Sequence, residues 1–308
     1  MEHARERGIE ISVVSPASIV DFGIGYGHGV LGNLRAKPWL AALVPAFLWN
    51  MRRAVPPDVD LVHAHWLAAG AVAATLKQPY VVQVWGTDIE LARRAPAVAR
   101  WALGRARFVI AASAFLAEEA TALGARNVRV VPTGVELPET IGPPQEPPHA
   151  LYVGRLSNEK GVLELVEAAD GLPLEIVGDG PLRARIPQAV GFVAPGELGR
   201  WYERAAVVAA PSRREGYGVA VREAMAWGRP VVATAVGGLR DAVDDGETGL
   251  LVPPGDVRAL RAALEQLLRD RGLRDRLGAA ARVKAEREFS WNAATNTLVA
   301  VYEEALSA

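Results

Sequence analysis

Short apolar runs rich in β-branched residues alternate with helical patterns from one end of the chain to the other. In the first half, Ile9–Pro16, Val59–Trp66, Tyr80–Gly86, Phe108–Ser113 and Val128–Thr133 have the pattern of strands. In the second, His149–Gly154, Leu174–Gly178, Ala189–Val193, Ala205–Ser212, Pro230–Val236 and Gly249–Val252 do. Most are continuously apolar rather than alternating, as parallel strands buried on both faces require. Alternation of strand and helix then predicts right-handed crossovers and a doubly wound α/β architecture.

The pattern is interrupted once, where Pro138, Pro143, Pro144, Pro147 and Pro148 crowd the polar stretch Glu136–Pro148. Proline removes donors and stiffens the chain, so this stretch is expected to join two domains. The expected division is a first α/β domain over 1–137, a linker over 138–148, a second α/β domain over 149–289, and a terminal helix over 290–308. In that helix Leu298, Val299, Tyr302 and Leu306 recur at helical spacing, so one face must be buried. Two such halves leave a cleft faced by strand C-termini, where open α/β sheets bind ligands.

Composition changes the picture mainly by exclusion. The 308 residues are enough for two domains, half of them are apolar and 22% are charged, as in a globular protein. A net charge of −1 argues against bulk polyanion binding, and so against a nucleic-acid partner. There are no cysteines, which removes disulfides, thiolate metal sites and cysteine nucleophiles. Met1–Glu10 is charged and has no signal-peptide core, and the apolar stretches Trp39–Trp49 and Ala64–Leu76 fall short of the ~20 residues that span a bilayer. The expected location is the cytoplasm.

Candidate chemistry gathers at the ends of the second-half strands. In Pro211-Ser212-Arg213-Arg214-Glu215-Gly216-Tyr217-Gly218 a strand gives way to a glycine-bearing turn, and a helix containing Glu223 follows. Unpaired N–H groups at such a helix start favour an anion, and Gly216 and Gly218 permit close approach to the backbone. Glu215 is free on the turn to reach ligand hydroxyls, and Glu223 could take a second set, such as those of a ribose. In Gly154-Arg155-Leu156-Ser157-Asn158-Glu159-Lys160-Gly161, Arg155 and Lys160 flank a strand-to-helix turn, as a diphosphate would need. Gly178-Asp179-Gly180-Pro181 and Gly237-Gly238 are further strand-end turns. Each motif alone also fits ordinary surface turns and solvated helix faces.

Together these segments resemble the retaining glycosyltransferases of family 4, the "group 1" glycosyltransferases of the GT-B fold. The resemblance rests on VGRLSNEKGV, IVGDGPL, PSRREGYGVAVREAMAWGRPVVATAVGG and DGETGLLVPPGD, running from about Leu151 to Asp256, with two glutamates eight positions apart. It implies two Rossmann-like domains facing a cleft and a nucleoside-diphosphate sugar as co-substrate, with no separate cofactor and no metal. Glu215 would contact the donor sugar and Glu223 the ribose. Arg155 and Lys160 would neutralise the diphosphate. Gly154, Gly178 and the backbone of Gly216, Tyr217 and Gly218 would hold sugar and phosphate, and the base would lie by Gly191, Phe192 and Val193. Asp244-Asp245 is a turn before Gly246 rather than a metal site.

The first half resembles the family more weakly. Asp60-Leu61-Val62-His63-Ala64-His65-Trp66 matches its strand-end histidine motif, which puts His65 near the transferred sugar. Gly86-Thr87-Asp88 matches a following loop, with Trp85 where the family usually has histidine. Ser113 and Pro132-Thr133-Gly134-Val135-Glu136 also fit, Thr133 replacing a common asparagine. The family opens with a strand, a glycine-rich loop and a helix before the segment seen here as Arg7–Val14, so the first domain is expected to be truncated. Asp21–Gly29 follows a strand and lacks the helix start of a dinucleotide fingerprint, and is expected to be a loop.

Family membership further implies retention of configuration, through a front-face reaction in a tight ion pair. A nucleotide-sugar epimerase of the same architecture lacks the paired glutamates of this turn. A binding-only relic is the reading that the missing start suggests. The acceptor would be a sugar, a lipid-linked sugar or a small molecule. Arg93, Arg94, Arg100, Arg105 and Arg107 around Trp101, and Arg35, Lys37, Arg52 and Arg53 around Trp39 and Trp49, predict peripheral contact with an anionic membrane surface on its inner face. A solvated helix face and a core segment would carry the same residues.

Overall fold

The computed structural model describes residues 7–15, 18–19 and 36–307. They form two compact α/β units. The first takes the described residues of Met1–Ala111 with Ala117–Arg129 and Leu298–Ala308; the second takes Ala112–Leu116 and Val130–Thr297.

In the first unit, β1 (Val62–His65), β2 (Tyr80–Val84), β3 (Phe108–Ala111) and β4 (Val128–Val130) follow one another across a single sheet, with β1, β2 and β3 parallel. The central strand β2 is buried at every position, which explains its unbroken apolar run around Gln83. A 3-10 helix (Pro38–Leu43) leads into α1 (Val44–Ala54), and α2 (Leu67–Ala73) follows β1. On α2, Gly70 lies so close to β2 that a Cβ would come within 2.8 Å of Val82. Then come α3 (Thr87–Ala92), α4 (Pro96–Arg105) and α5 (Ala114–Ala122).

The second unit has five parallel strands, β5 (Ala150–Val153), β6 (Leu174–Val177), β7 (Val207–Ala210), β8 (Val231–Thr234) and β9 (Gly249–Val252), in the order β6-β5-β7-β8-β9. The order reverses between β5 and β7, and the loops leaving their C-terminal ends diverge there. Alternate strand residues serve opposite cores. Ala150, Tyr152, Val207, Ala209 and Val232 meet Leu165 of α6 (Val162–Ala168) and Leu260, Leu264 and Leu267 of the later helix Val257–Arg269. Leu151, Val208, Val231 and Ala233 meet Trp201 and Tyr202 of α7 (Gly199–Arg204), Val221 and Met225 of α8 (Val219–Ala226), and Leu239 of α9 (Gly237–Ala242). The helix Val257–Arg269 is α10; α11 (Arg271–Lys284) and α12 (Trp291–Ser307) complete the chain. Asp256 and Asp270 cap α10 and α11, accepting from Ala259 N and Leu273 N.

Two strand expectations fail. Ile9–Ser15 is irregular and Val13 is 55% exposed; an apolar run becomes a strand only where a ladder takes its backbone groups, and Pro16 lies outside the described residues. Ala189–Val193 supplies a single antiparallel bridge, Gly178 to Gly191, because Gly191 at φ +100° turns out of extended conformation. The proposed loop Asp21–Gly29 lies outside the described residues.

The proline-rich stretch has no helix or strand, yet it groups with the second unit rather than forming a separate linker. Arg282 donates to Pro138 O (3.0 Å), Arg229 to Gly142 O (2.7 Å), and Gln145 N to Arg204 O (2.9 Å). Helix α12 begins in the second unit and passes to the first at Leu298. Its buried line is Ala294, Val301 and Ala305, while Leu306, read from the sequence as part of that face, is 53% exposed. Small residues carry the contact, so a count of large apolar residues misplaced the stripe by one position.

Candidate active site

The loops leaving β5, β6, β7 and β8 are packed backbone to backbone, and glycine makes that packing possible. A Cβ on Gly178 would stand 1.8 Å from Gly154 O; one on Gly161, 2.0 Å from Pro211 O; one on Gly237, 2.1 Å from Glu215 O; one on Gly238, 2.4 Å from Gly216 O. Gly161, Gly178 and Gly237 also hold positive φ values of 65°, 143° and 43°. Sterically no other residue fits these points. The backbone N–H of Arg213 donates to Glu159 O (2.8 Å), joining the β7 loop to the β5 loop.

Charged side chains sit on this frame. Lys160 ends a short 3-10 turn and its Nζ meets Glu215 Oε2 at 2.6 Å, the two side chains being 26% and 17% exposed. Glu215, expected to be free on its turn, is therefore held by Lys160, with Ser212 Oγ a further 3.4 Å contact. The structure thus joins one of the two diphosphate candidates to the sugar candidate across the point where strand order reverses. Arg155, at the other end of the β5 loop, is exposed, and no side-chain partner for it is present among the described residues.

Gly218, at φ +84°, turns the chain into α8, and Glu223 follows on the helix. Tyr202 of α7 donates to Glu223 Oε2 at 2.7 Å. Burial raises the Glu223 carboxyl above its ordinary pKa, opposed in part by that hydrogen bond. Tyr202 is pushed well above the phenol range by burial and then by the nearby carboxylate, so it remains a donor. Tyr217 is buried, its hydroxyl pushed up to about 12 by burial and donating to Thr133 O at 2.5 Å. Its ring lies 3.7 Å from the Arg222 guanidinium, which also sits 4.7 Å from the Phe289 ring and donates to Tyr217 O. Arg222 thus stiffens the glycine turn from beneath.

Gly191, Phe192 and Val193 form an irregular segment beside Gly178, whose N–H donates to Gly191 O at 2.8 Å. Phe192 is 76% exposed, the most open large apolar residue of those described, and Val193 packs against the core.

The first unit gathers a different set. His65 at the end of β1 stacks on His63 (4.3 Å between centroids, 19°) and on Trp85 (6.0 Å, 15°). His63 Nδ1 lies 2.5 Å from Tyr302 Oη on α12. Burial, and then the neighbouring His65, lowers His63 to about 3, so it is neutral. Burial pushes Tyr302 up to about 12, so its hydroxyl donates to that nitrogen. Trp66 follows at φ +76°, ψ 147°, a region that side chains strongly disfavour. Buried Asp88 then fastens two strand-end loops, accepting from Leu67 N (3.1 Å), Trp85 N (2.9 Å) and Ile89 N (3.1 Å). Ser113, which groups with the second unit, donates to Gly216 O at 2.7 Å. Among the described residues, no three His, Asp or Glu side chains gather as a metal site requires.

Sequence reading missed Tyr202, Arg222, Asp88 and Tyr302 as supports. Arg222 had a signal, a cation beside Glu223 in the otherwise apolar helix Val219–Ala226, whereas Tyr202 sits among Arg200, Glu203 and Arg204 and had none. Asp88 lay in the matching Gly86-Thr87-Asp88 loop and Tyr302 on the apolar stripe of the last helix, but their partners are neighbours that only the fold creates.

Comparison with known proteins bears on the same segments. Residues 147–270 match the family described as "Glycosyl transferases group 1", and residues 1–139 match "Glycosyltransferase Family 4". A D-inositol 3-phosphate glycosyltransferase of Xylanimonas cellulosilytica is 34% identical over 301 residues, covering 80% of this chain and 72% of that protein. A sucrose-phosphate synthase from Thermosynechococcus elongatus superposes with a TM-score of 0.76 at 25% identity, covering 88% and 80%. The Anabaena protein HepE, solved in complex with UDP, superposes with a TM-score of 0.72 at 21% identity, covering 87% and 84%.

Proposed function

Since the chain belongs to the group 1 glycosyl transferases of family 4, and is a GT-B glycosyltransferase, we propose that it moves a sugar with retention from a nucleoside-diphosphate donor to an acceptor hydroxyl, without a metal. The observation that carries this reading is the Lys160–Glu215 pair, set on glycine-locked loops with the unpartnered Arg155 at the other end of one of them. Arg155 and Lys160 take the diphosphate, Glu215 the sugar hydroxyls and Glu223 the ribose. The base lies along Gly191–Val193. The UDP bound by HepE supports a nucleotide ligand of this kind.

In the reaction the bond from the anomeric carbon to the diphosphate oxygen breaks, and the acceptor oxygen bonds to that carbon on the same face. The acceptor proton passes to the departing diphosphate oxygen, whose charge Arg155 and Lys160 lower. Catalysis then comes from positioning and preorganised charge. The acceptor is a sugar, a lipid-linked sugar or a small molecule, and a lipid-linked one would be met at an anionic membrane surface on its cytoplasmic side.

A thermal-shift screen of nucleoside diphosphates and their sugars tests the donor assignment. A true donor at 100 times its dissociation constant adds about 2.7 kcal/mol of stability. No shift with any nucleotide sugar at saturating concentration would refute the donor site.

A further inference from the structure

The segment Pro38–Ala54 is apolar on two faces and buries one. Leu40 and Phe47 are buried, with Leu43, Val44, Leu48 and Met51 packed beside them, the i, i+3, i+4, i+7 spacing of a core-facing stripe. The opposite face holds Trp39 (63% exposed) and Trp49 (55% exposed), with Ala41, Ala42, Pro45 and Ala46 also open. A surface helix normally turns polar groups outward; here the outward residues are alanine, proline and tryptophan. The only charges on the segment and its flanks are cations. No aspartate or glutamate occurs from Phe22 to Pro57, whereas Arg35, Lys37, Arg52 and Arg53 do.

Two contacts fix the outer face in place. Arg52 lies 5.7 Å from the Trp49 ring centroid and donates to Thr75 Oγ1 at 3.2 Å, so the indole is braced while it remains open. Lys37 and Arg53 are exposed at either end. By contrast Arg93, one of the basic residues grouped with exposed Trp101 along the sequence, is already paired with Glu119. Among the described residues no helix is long and apolar enough to cross a membrane, so this segment can only lie along one.

We propose that the Trp39–Trp49 face docks in the plane of an anionic lipid surface. The two indoles enter the headgroup boundary, and Lys37 and Arg53 meet lipid phosphates. Positive charge unopposed by carboxylates favours lipid over a second copy of the same face, which would bring like charges together.

Sedimentation of the full chain with phosphatidylcholine vesicles, with and without phosphatidylglycerol, tests this at low and physiological salt. Binding should require phosphatidylglycerol and weaken as salt rises. Lys37→Gln with Arg53→Gln should lower it about 25-fold, each cation being worth about fivefold. Trp39→Ser with Trp49→Ser should abolish it while the melting temperature stays at the parental value. Equal binding to both vesicles, or to neither, would overturn the proposal. So would parental binding by the tryptophan pair variant, or a dimer that this variant dissolves. Nucleotide-induced thermal shifts in the same samples report the donor site separately, so either reading can fail alone.

Discussion

At the strand ends of the second unit, Gly178 rests on Gly154 and Gly237 on Glu215 with no side chain between them. At those of the first unit the gap between loops is bridged by a side chain, the Asp88 carboxylate accepting from Leu67 and Trp85. Backbone contact fixes a loop by excluded volume, which leaves no slack. A buried carboxylate fixes it by hydrogen bonds that depend on desolvated charge; burial raises the Asp88 pKa and its three N–H donors oppose the rise. On the proposed function, the first device would suit the constant part of the donor, its diphosphate. The second tolerates change around it.

The largest effect should come from breaking the backbone contact. Gly178→Ala places a Cβ at 1.8 Å from Gly154 O at φ +143° and should cost at least about 4 kcal/mol. Gly191→Ala, at φ +100° with nothing within 4 Å, should cost only about 1 kcal/mol. Urea unfolding of the two variants measures the difference, and equal losses would mean that strain rather than contact matters.

Acid should find the weak point of the first unit. His63 is held neutral down to about 3 while an unfolded histidine titrates near its ordinary value of 6.5. Between those values the unfolded state binds the extra proton, so stability falls as pH falls through that window. By pH 4 the loss from this residue is roughly 3 kcal/mol. His63→Gln should flatten the slope of stability against pH between 6 and 4; an unchanged slope would place the acid sensitivity elsewhere.

Arg155→Ala should weaken UDP binding by about tenfold or more, corresponding to a lost charge-assisted bond of roughly 1.5–3 kcal/mol, and Lys160→Ala should weaken it by a smaller factor, because Lys160 gives up its Glu215 bond to the ligand. His65→Ala in the first unit should leave UDP affinity unchanged. Calorimetric titration separates the three, and loss of affinity in the His65 variant alone would reverse the assignment of the halves.

The smallest effect tests Trp66. Trp66→Gly and Trp66→Ala both delete the indole and differ only in the backbone. At φ +76° glycine should be the more stable of the pair by about 1 kcal/mol, the reverse of its usual rank. Melting temperatures in parallel scans decide it.

The second unit was legible in the sequence because its constraints are local. Gly249–Val252 has the predicted bounds, and β5 to β8 lose only their end residues to the loops. Each locked glycine is a residue type that no other can replace, so the loop positions are written in the residues themselves. The partnership of Lys160 with Glu215 was not legible, since 55 positions separate them and only the sheet order brings their loops together. The first unit was read less well. The His63–Tyr302 bond joins residues 239 apart, and Ile9–Ser15 has the composition of a strand without a ladder. The buried stripe of α12 escaped notice because alanines, which serve any surface, make up most of it.

The Lys160–Glu215 bond gives the resting site an occupant of its own. An anion arriving at Lys160 displaces a carboxylate already at 2.6 Å, so one charge-assisted bond is exchanged for another. The net gain from that exchange is smaller than from a new bond, so a bare phosphate has less to gain at Lys160 than at Arg155. A ligand that also carries hydroxyls recovers the difference, because the released Glu215 oxygen then finds donors. On the proposed function, that exchange would favour a sugar nucleotide, which offers hydroxyls to the released carboxylate, over the diphosphate alone.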